Sequence, residues 1–236
     1  MIKYFLNLPS YVLRKYRSRK VSYSLTSIDL LISHIFKKFN NGFFIDVGCN
    51  HPVYNNNTYL LYKKGWRGIN IDLDKKSIDL FNLYRKLDYN KLAALSSKFE
   101  ETELFFHHDK SPINTINKEM LNYQKAKPSV IKKINTVTLD SIIKESKFEN
   151  KKIDFLSIDV EGHEIEVLKG FNLSKYMPSV IVVEFLDMNL KKIDVVNFNA
   201  ESIFNSSIYK YMIESNYKLV NWVHSDLVFV SNKFEI

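Results

Sequence analysis

The chain has 236 residues, a formal net charge of +8, and 45% hydrophobic against 25% charged residues. That length and balance suit one large globular domain or two small ones and exclude general disorder. The single cysteine, Cys49, excludes an internal disulfide framework and a cysteine zinc cluster, and no apolar run approaches the roughly 18 residues that span a bilayer.

The charge is uneven. Residues 1–20 hold six basic residues and no acid, which leaves 28 basic against 26 acidic residues in the remainder. A nucleic-acid reader carries its basic face on the folded body, so no nucleic-acid partner is expected. The tail has two readings: a peripheral contact with anionic lipid, or a solvated extension or oligomer contact. The expected division is a basic segment over 1–24 and a domain over 25–236. The 2–8 stretch is apolar but too short for a secretory signal. A reducing, cytoplasmic compartment is expected, membrane-peripheral if the tail binds lipid.

In chain order, 1–24 is partly amphipathic and broken by Pro9. Ser27 opens a helix with Leu30, Leu31, Ile35 and Phe36 at helical spacing, stopped by Asn40, Asn41 and Gly42. The apolar run Phe43-Phe44-Ile45-Asp46-Val47 predicts a buried strand ending at Gly48. A helix over 57–64, a strand over 68–71 ending in Asp72 and a helix over 75–87 follow. A third strand is expected over 92–95 and a further one over 102–106. Residues 107–133 are polar, with Pro112 and Pro128, and are expected to form a long irregular lid. Then come an extended stretch over 134–137, a helix over 139–145, a strand over 153–158 ending in Asp159, and a helix over 162–169 closed by Gly170. An apolar strand over 179–185 and a helix over 200–215 precede strands at 218–223 and 227–230. These last two have no room for a helix between them, so they are antiparallel neighbours. Alternating strands and helices imply a mostly parallel sheet.

In open parallel sheets ligands bind beyond the carboxyl ends of the strands. Here Asp46, Asp72, Asp159 and Glu184 all sit at or near such ends. Each alone reads as a helix cap or a solvated strand end; together they read as a site. The first turn, Asp46-Val47-Gly48-Cys49-Asn50-His51-Pro52, lacks the G-x-G-x-x-G of dinucleotide binding. Its carboxylate is a poor host for phosphate and a good one for ammonium. Asp72 is placed to accept from ribose hydroxyls. This pairing describes S-adenosylmethionine better than NAD.

The stretch 44–52, the segments Asn57-Thr58-Tyr59 and Gly65-Trp66-Arg67-Gly68-Ile69-Asn70-Ile71-Asp72, the run Thr136-Val137-Thr138-Leu139-Asp140 and above all 153–170, with its Asp159-Val160-Glu161-Gly162-His163-Glu164 core, resemble the FkbM family of S-adenosylmethionine-dependent methyltransferases. Cys49 and Pro52 depart from its commoner alanine and glycine. The resemblance implies an α/β class I methyltransferase (Rossmann-like) fold: a mostly parallel seven-stranded sheet with a terminal antiparallel strand pair, here with an N-terminal helical extension. It implies methyl transfer to a hydroxyl, often on a sugar or polyketide, with a small-molecule or glycan acceptor. Asp46, Gly48 and Asn50 would cradle the methionine end, and Asp72 would hold the ribose. Residues 92–95, Ala94 among them, would lie near the adenine. Asp159, Glu161 and His163 would face the transferred methyl.

His163 is the natural base, since imidazole titrates near neutrality; its bland reading is a solvent-facing first-turn residue. Asp159, Glu161 and Glu184 could ligate Mg²⁺, but acids beside a helix start also favour the macrodipole, and no metal is expected. His107, His108 and Asp109 read as substrate contacts or, more often, a solvated loop. Cys49 reads as a buried filler, Trp66 as strand-edge packing and Trp222 as core. The rival functions are a Rossmann-type oxidoreductase and a binding or scaffold protein on a methyltransferase fold.

Overall fold

A computed structural model describes residues 20–187 and 199–235. Most of the basic tail lies outside these residues, and with it the readings of the tail and its helical extension. Among the described residues no helix is long and apolar enough to cross a membrane.

The main sheet has seven strands in the order β3-β2-β1-β7-β8-β10-β9. Its strands are β1 (Phe43–Val47), β2 (Arg67–Asp72), β3 (Tyr89–Leu92), β7 (Phe155–Ile158), β8 (Val180–Glu184), β9 (Tyr217–Val223) and β10 (Asp226–Ser231). β1 pairs in parallel with β2 and β7, and β7 with β8. β10 is antiparallel to both β8 and β9. The sheet and the terminal pair are as the sequence predicts.

Every residue of β1 is buried, because both sheet faces are covered. Strand parity sorts its side chains. Phe43, Ile45 and Val47 join Ile69, Ile71, Leu156 and Ile158 in one core. Phe44 joins Phe155, Trp66, and Ile28 and Ile32 of α1 (Ile28–Ile35) in the other. Each such large side chain contributes about 1.5–3 kcal/mol. The central pairing is long-range: Phe44 faces Phe155, and Phe43 N–H donates to Asp154 Oδ2 across 111 residues.

Several boundaries differ from the sequence reading. Residues 92–95 are not one strand. β3 ends at Leu92, and Ala94–Leu95 forms β4, which belongs to a second sheet ordered β4-β6-β5. The strand expected near 102–106 is β5 (Glu101–Phe106), antiparallel to β6 (Val130–Val137) in that second sheet. The lid is therefore structured: it begins directly after β5, its last residues lie in β6, and it contains α4 (Lys118–Gln124), capped by Asn117. The helix expected over 200–215 breaks at Ser206 into α8 (Ala200–Asn205) and α9 (Ser207–Glu214), and the Ser206 side chain caps the second. The buried stripe of α1 is Ile28, Ile32 and Ile35, followed by Phe36, with Leu31 packed partly buried against the same core. Trp66 is fully buried against Phe36, whereas Trp222, expected in the core, is 39% exposed on edge strand β9. Gly170 does cap α6 (Glu164–Lys169), but its φ of −81° is open to any residue. What excludes a side chain is Ser96 O, 2.2 Å from where a Cβ would stand.

Contact with the body begins before residue 25. Asp29, fully buried, accepts from Ser22 Oγ, Tyr23 N–H and Ser24 Oγ.

Candidate active site

The carboxyl ends of β1, β2, β7 and β8 open on one cavity. Its floor is the turn after β1. Gly48 adopts φ +77°, and a Cβ there would lie 1.6 Å from Asp159 O. The turns after β1 and β7 thus touch through backbone. Gly48 and Cys49 N–H both donate to Ile71 O, which ties the first turn to β2 as well.

Of the predicted site residues, Gly48, Asn50, Asp72, Ala94, Asp159, Glu161 and His163 all line this cavity. Asp46 does not. It shares the Phe44 face of β1 by parity, and its Oδ2 accepts from Asn56 Nδ2 at 3.0 Å and Thr58 Oγ1 at 2.7 Å. Behind them lies Arg85, fully buried, donating to Thr58 Oγ1, Asn56 Oδ1 and Pro52 O. Burial pushes the Asp46 carboxyl up, and Arg85 pulls it back. The expected cradling role is therefore corrected: Asp46 anchors the 49–58 loop from behind, since Asn56 also bonds Cys49 O.

Asp72 sits at the end of β2. Its Oδ2 accepts Asn50 N–H and its Oδ1 accepts Asp74 N–H, both at 2.8 Å. Each oxygen keeps lone-pair capacity for a further donor. Burial raises its pKa to about 6, assisted by Asp74 and Asp46 and opposed by the two backbone donors. Ala93, Ala94, Leu95 and Ile71 supply an apolar wall nearby, with Ser77 beside them.

Asp159, Glu161 and Glu184 converge at the opposite end. Asp159 is exposed to solvent through the cavity, although protein atoms crowd around its carboxyl. Burial raises its carboxyl well above the usual range, and Glu161 and Glu164 add to this. Glu161 is raised to about 7, again mainly by burial. Glu161 and Gly162 have φ of 56° and 90°. For Glu161 that left-handed backbone is strained by about 1–2 kcal/mol. The insertion holds it there: Thr115 Oγ1 donates to Glu161 O at 2.8 Å, Asn117 Nδ2 to Gly162 O at 2.6 Å, and Gln124 Nε2 to Glu161 Oε2 at 3.2 Å. Glu164 Oε1 accepts Val160 and Gly162 N–H, both at 3.0 Å, from the other side.

His163 precedes α6 and is partly buried, which lowers its pKa and leaves it neutral at pH 7. Its Nε2 lies 3.0 Å from Ser96 Oγ. Ser96 is the side chain that orients its ring.

Other residues of the wall were not singled out by the sequence. Ser111, Pro112, Asn114 and Ile116 of the insertion line the cavity, and Lys110 N–H docks on Asp74 Oδ2 at 2.5 Å. Leu25 and Thr26 line it too, and Thr26 Oγ1 donates to Asp226 Oδ2 at 2.9 Å. Asp226 carried a usable signal: an antiparallel strand begins where its parallel neighbours end. His108 and Asp109 are exposed and His107 is buried; none of the three lines the cavity. Cys49 packs against Ile78 and Phe81 as a filler.

The strand order and the cavity at the carboxyl ends define a Rossmann-like methyltransferase fold. Residues 46–219 match the methyltransferase FkbM domain, well over half of the chain, and the chain belongs to that family. Methyl transfer is thereby its class of reaction. No curated protein matches the sequence.

Proposed function

We propose that the chain is an S-adenosylmethionine-dependent O-methyltransferase whose acceptor is a hydroxyl, with a saccharide of a surface polymer or glycoconjugate as the acceptor class. Asp72 carries the cofactor reading. It is a carboxylate at the end of β2, lining the cavity, with lone pairs left for ribose hydroxyls. The cavity fits the same ligand elsewhere: Gly48 lets the turn after β1 meet the turn after β7, and the apolar 93–95 wall suits an adenine. The saccharide rests on the family's habit.

When bound, S-adenosylmethionine supplies a methyl group already activated by its sulfonium. The protein's task is alignment, which is worth about 7–11 kcal/mol when complete. Asp72 accepts the ribose O–H bonds. Asp46 and Arg85 act as positioning residues for the 49–58 loop. His163 takes the acceptor proton: with Nε2–H donating to Ser96 Oγ, Nδ1 is the basic nitrogen. The strained Glu161–Gly162 turn sets the wall against which the acceptor lies.

Calorimetry with S-adenosylhomocysteine across pH tests the reading. Ribose donors need the Asp72 carboxylate. The free protein protonates it near pH 6, so affinity is full above that pH and falls by up to about tenfold per unit below it. Asp72→Asn flattens this profile and Asp72→Ala removes binding. Well-folded wild type that ignores millimolar ligand would remove the methyltransferase mechanism and favour a scaffold.

A further inference from the structure

Asp159, Glu161 and Glu184 each offer a carboxylate oxygen, and these atoms all lie within 4.8 Å of one another. Asp226 is a further acid on the wall of the same cavity. Among the described residues, no Lys or Arg forms an ion pair with any of the three. The macrodipole of α6 does not account for them. Its N-terminal side is already served by Glu164, and Glu184 comes from a different element, β8.

A second observation points to a ligand. Glu184 lines the cavity with its Oε2 buried and without a donor, and the side chain its carboxyl meets is another acid, Asp159. Leaving a buried acceptor unmet is costly, and more so when it is charged. The chain also holds Glu161 in a left-handed backbone with bonds from Thr115 and Gln124, which keeps its carboxylate beside the other two. A protein that clusters carboxylates at this cost, and strains a turn to do so, is built for a missing positive charge.

We propose that Asp159, Glu161 and Glu184 bind a hard divalent cation, Mg²⁺ or Mn²⁺, whose remaining positions take two neighbouring hydroxyl oxygens of the acceptor. Three carboxylates with open positions suit such cations, which keep several water or substrate oxygens in their shell. The assignment narrows the acceptor to a vicinal diol, and that clause rests on the O-methyltransferase reading; the cation site itself does not.

The test is a Mn²⁺ titration of the full chain followed by electron paramagnetic resonance, with and without S-adenosylhomocysteine. One Mn²⁺ per chain is expected, retained when S-adenosylhomocysteine is added. Glu184→Gln and Glu161→Gln each weaken Mn²⁺ binding by at least about tenfold. Thermal melts check that both variants fold, and removing a crowded carboxylate does not lower their stability. Three results overturn the site: no Mn²⁺ uptake by a chain that binds S-adenosylhomocysteine, unchanged Mn²⁺ affinity in Glu184→Gln, or one-for-one displacement by S-adenosylhomocysteine, which makes the cluster the ammonium seat. Mn²⁺ uptake by a chain that ignores S-adenosylhomocysteine supports the site and removes the methyltransferase mechanism instead.

Discussion

Arg85 has no exposed surface and spends its guanidinium on Pro52 O, Asn56, Thr58 and Asn70. Phe81 and Tyr62 lie within 4.9 and 5.1 Å of it. It offsets the buried Asp46 carboxylate without touching it directly. Arg85→Ala leaves that carboxylate uncompensated, so urea unfolding should show a loss of about 3–5 kcal/mol. The pair Arg85→Met with Asp46→Asn should recover most of it, because no charge is then stranded. Neither role was legible in the chain. Arg85 stands between Tyr84 and Lys86 at a helix end, where a basic residue reads as solvated. Asp46 ends an apolar run, where an acid reads as catalytic. Strand parity could have corrected the second reading: residue 46 shares a face with Phe44 and is in register with Asn70 and Ser157. By contrast, Gly48, Asp72 and Asp159 were legible, because a residue at the end of a parallel strand has nowhere to point but outward.

The insertion between β5 and β6 works as a clamp. Thr115 is fully buried and does two things with one hydroxyl: it donates to Glu161 O and accepts Asn117 N–H at 2.9 Å. Thr115→Val keeps the volume and deletes both bonds. It should cost about 1–3 kcal/mol in unfolding experiments and lower kcat, while S-adenosylhomocysteine affinity stays as in wild type, because Asp72 lies at the other end. A fall in affinity matching the fall in kcat would show that the clamp shapes the whole cavity. From sequence the insertion looked structureless, because its polar, Pro-bearing run has no period. Its order comes from tertiary partners, Met120 packing where a Cβ on Gly162 would be and Asn117 bonding Gly162 O. The misread at 92–95 has a similar origin. Leu92, Ala93, Ala94 and Leu95 are all apolar, so nothing in the residues marks the point where the chain leaves one sheet for the other. The long apolar strands and the antiparallel end pair were legible because burial on both faces writes itself as an unbroken hydrophobic run.

At the scale of the molecule, every element that touches the cavity enters from a different part of the chain, from Leu25 to Asp226. Ligand binding there should stabilise the whole fold. At a hundredfold excess over Kd, S-adenosylhomocysteine adds about 2.7 kcal/mol, which for a chain of this size raises Tm by about 5–10 °C. A melt with no shift, from protein that binds by calorimetry, would mean the sheet unfolds in parts. The pairing of β1 with β7 also has a consequence in time. Synthesis delivers Phe44 long before Phe155. Until then β1 is an edge, with its hydrogen-bonding row bare on the side that will later face β7. Loop-closure entropy over so long a span makes this join slow, and an unpaired apolar edge is where nascent chains stick to one another. The half of the protein that carries Asp72 and the Gly48 turn therefore spends its earliest moments as the half most in need of a chaperone.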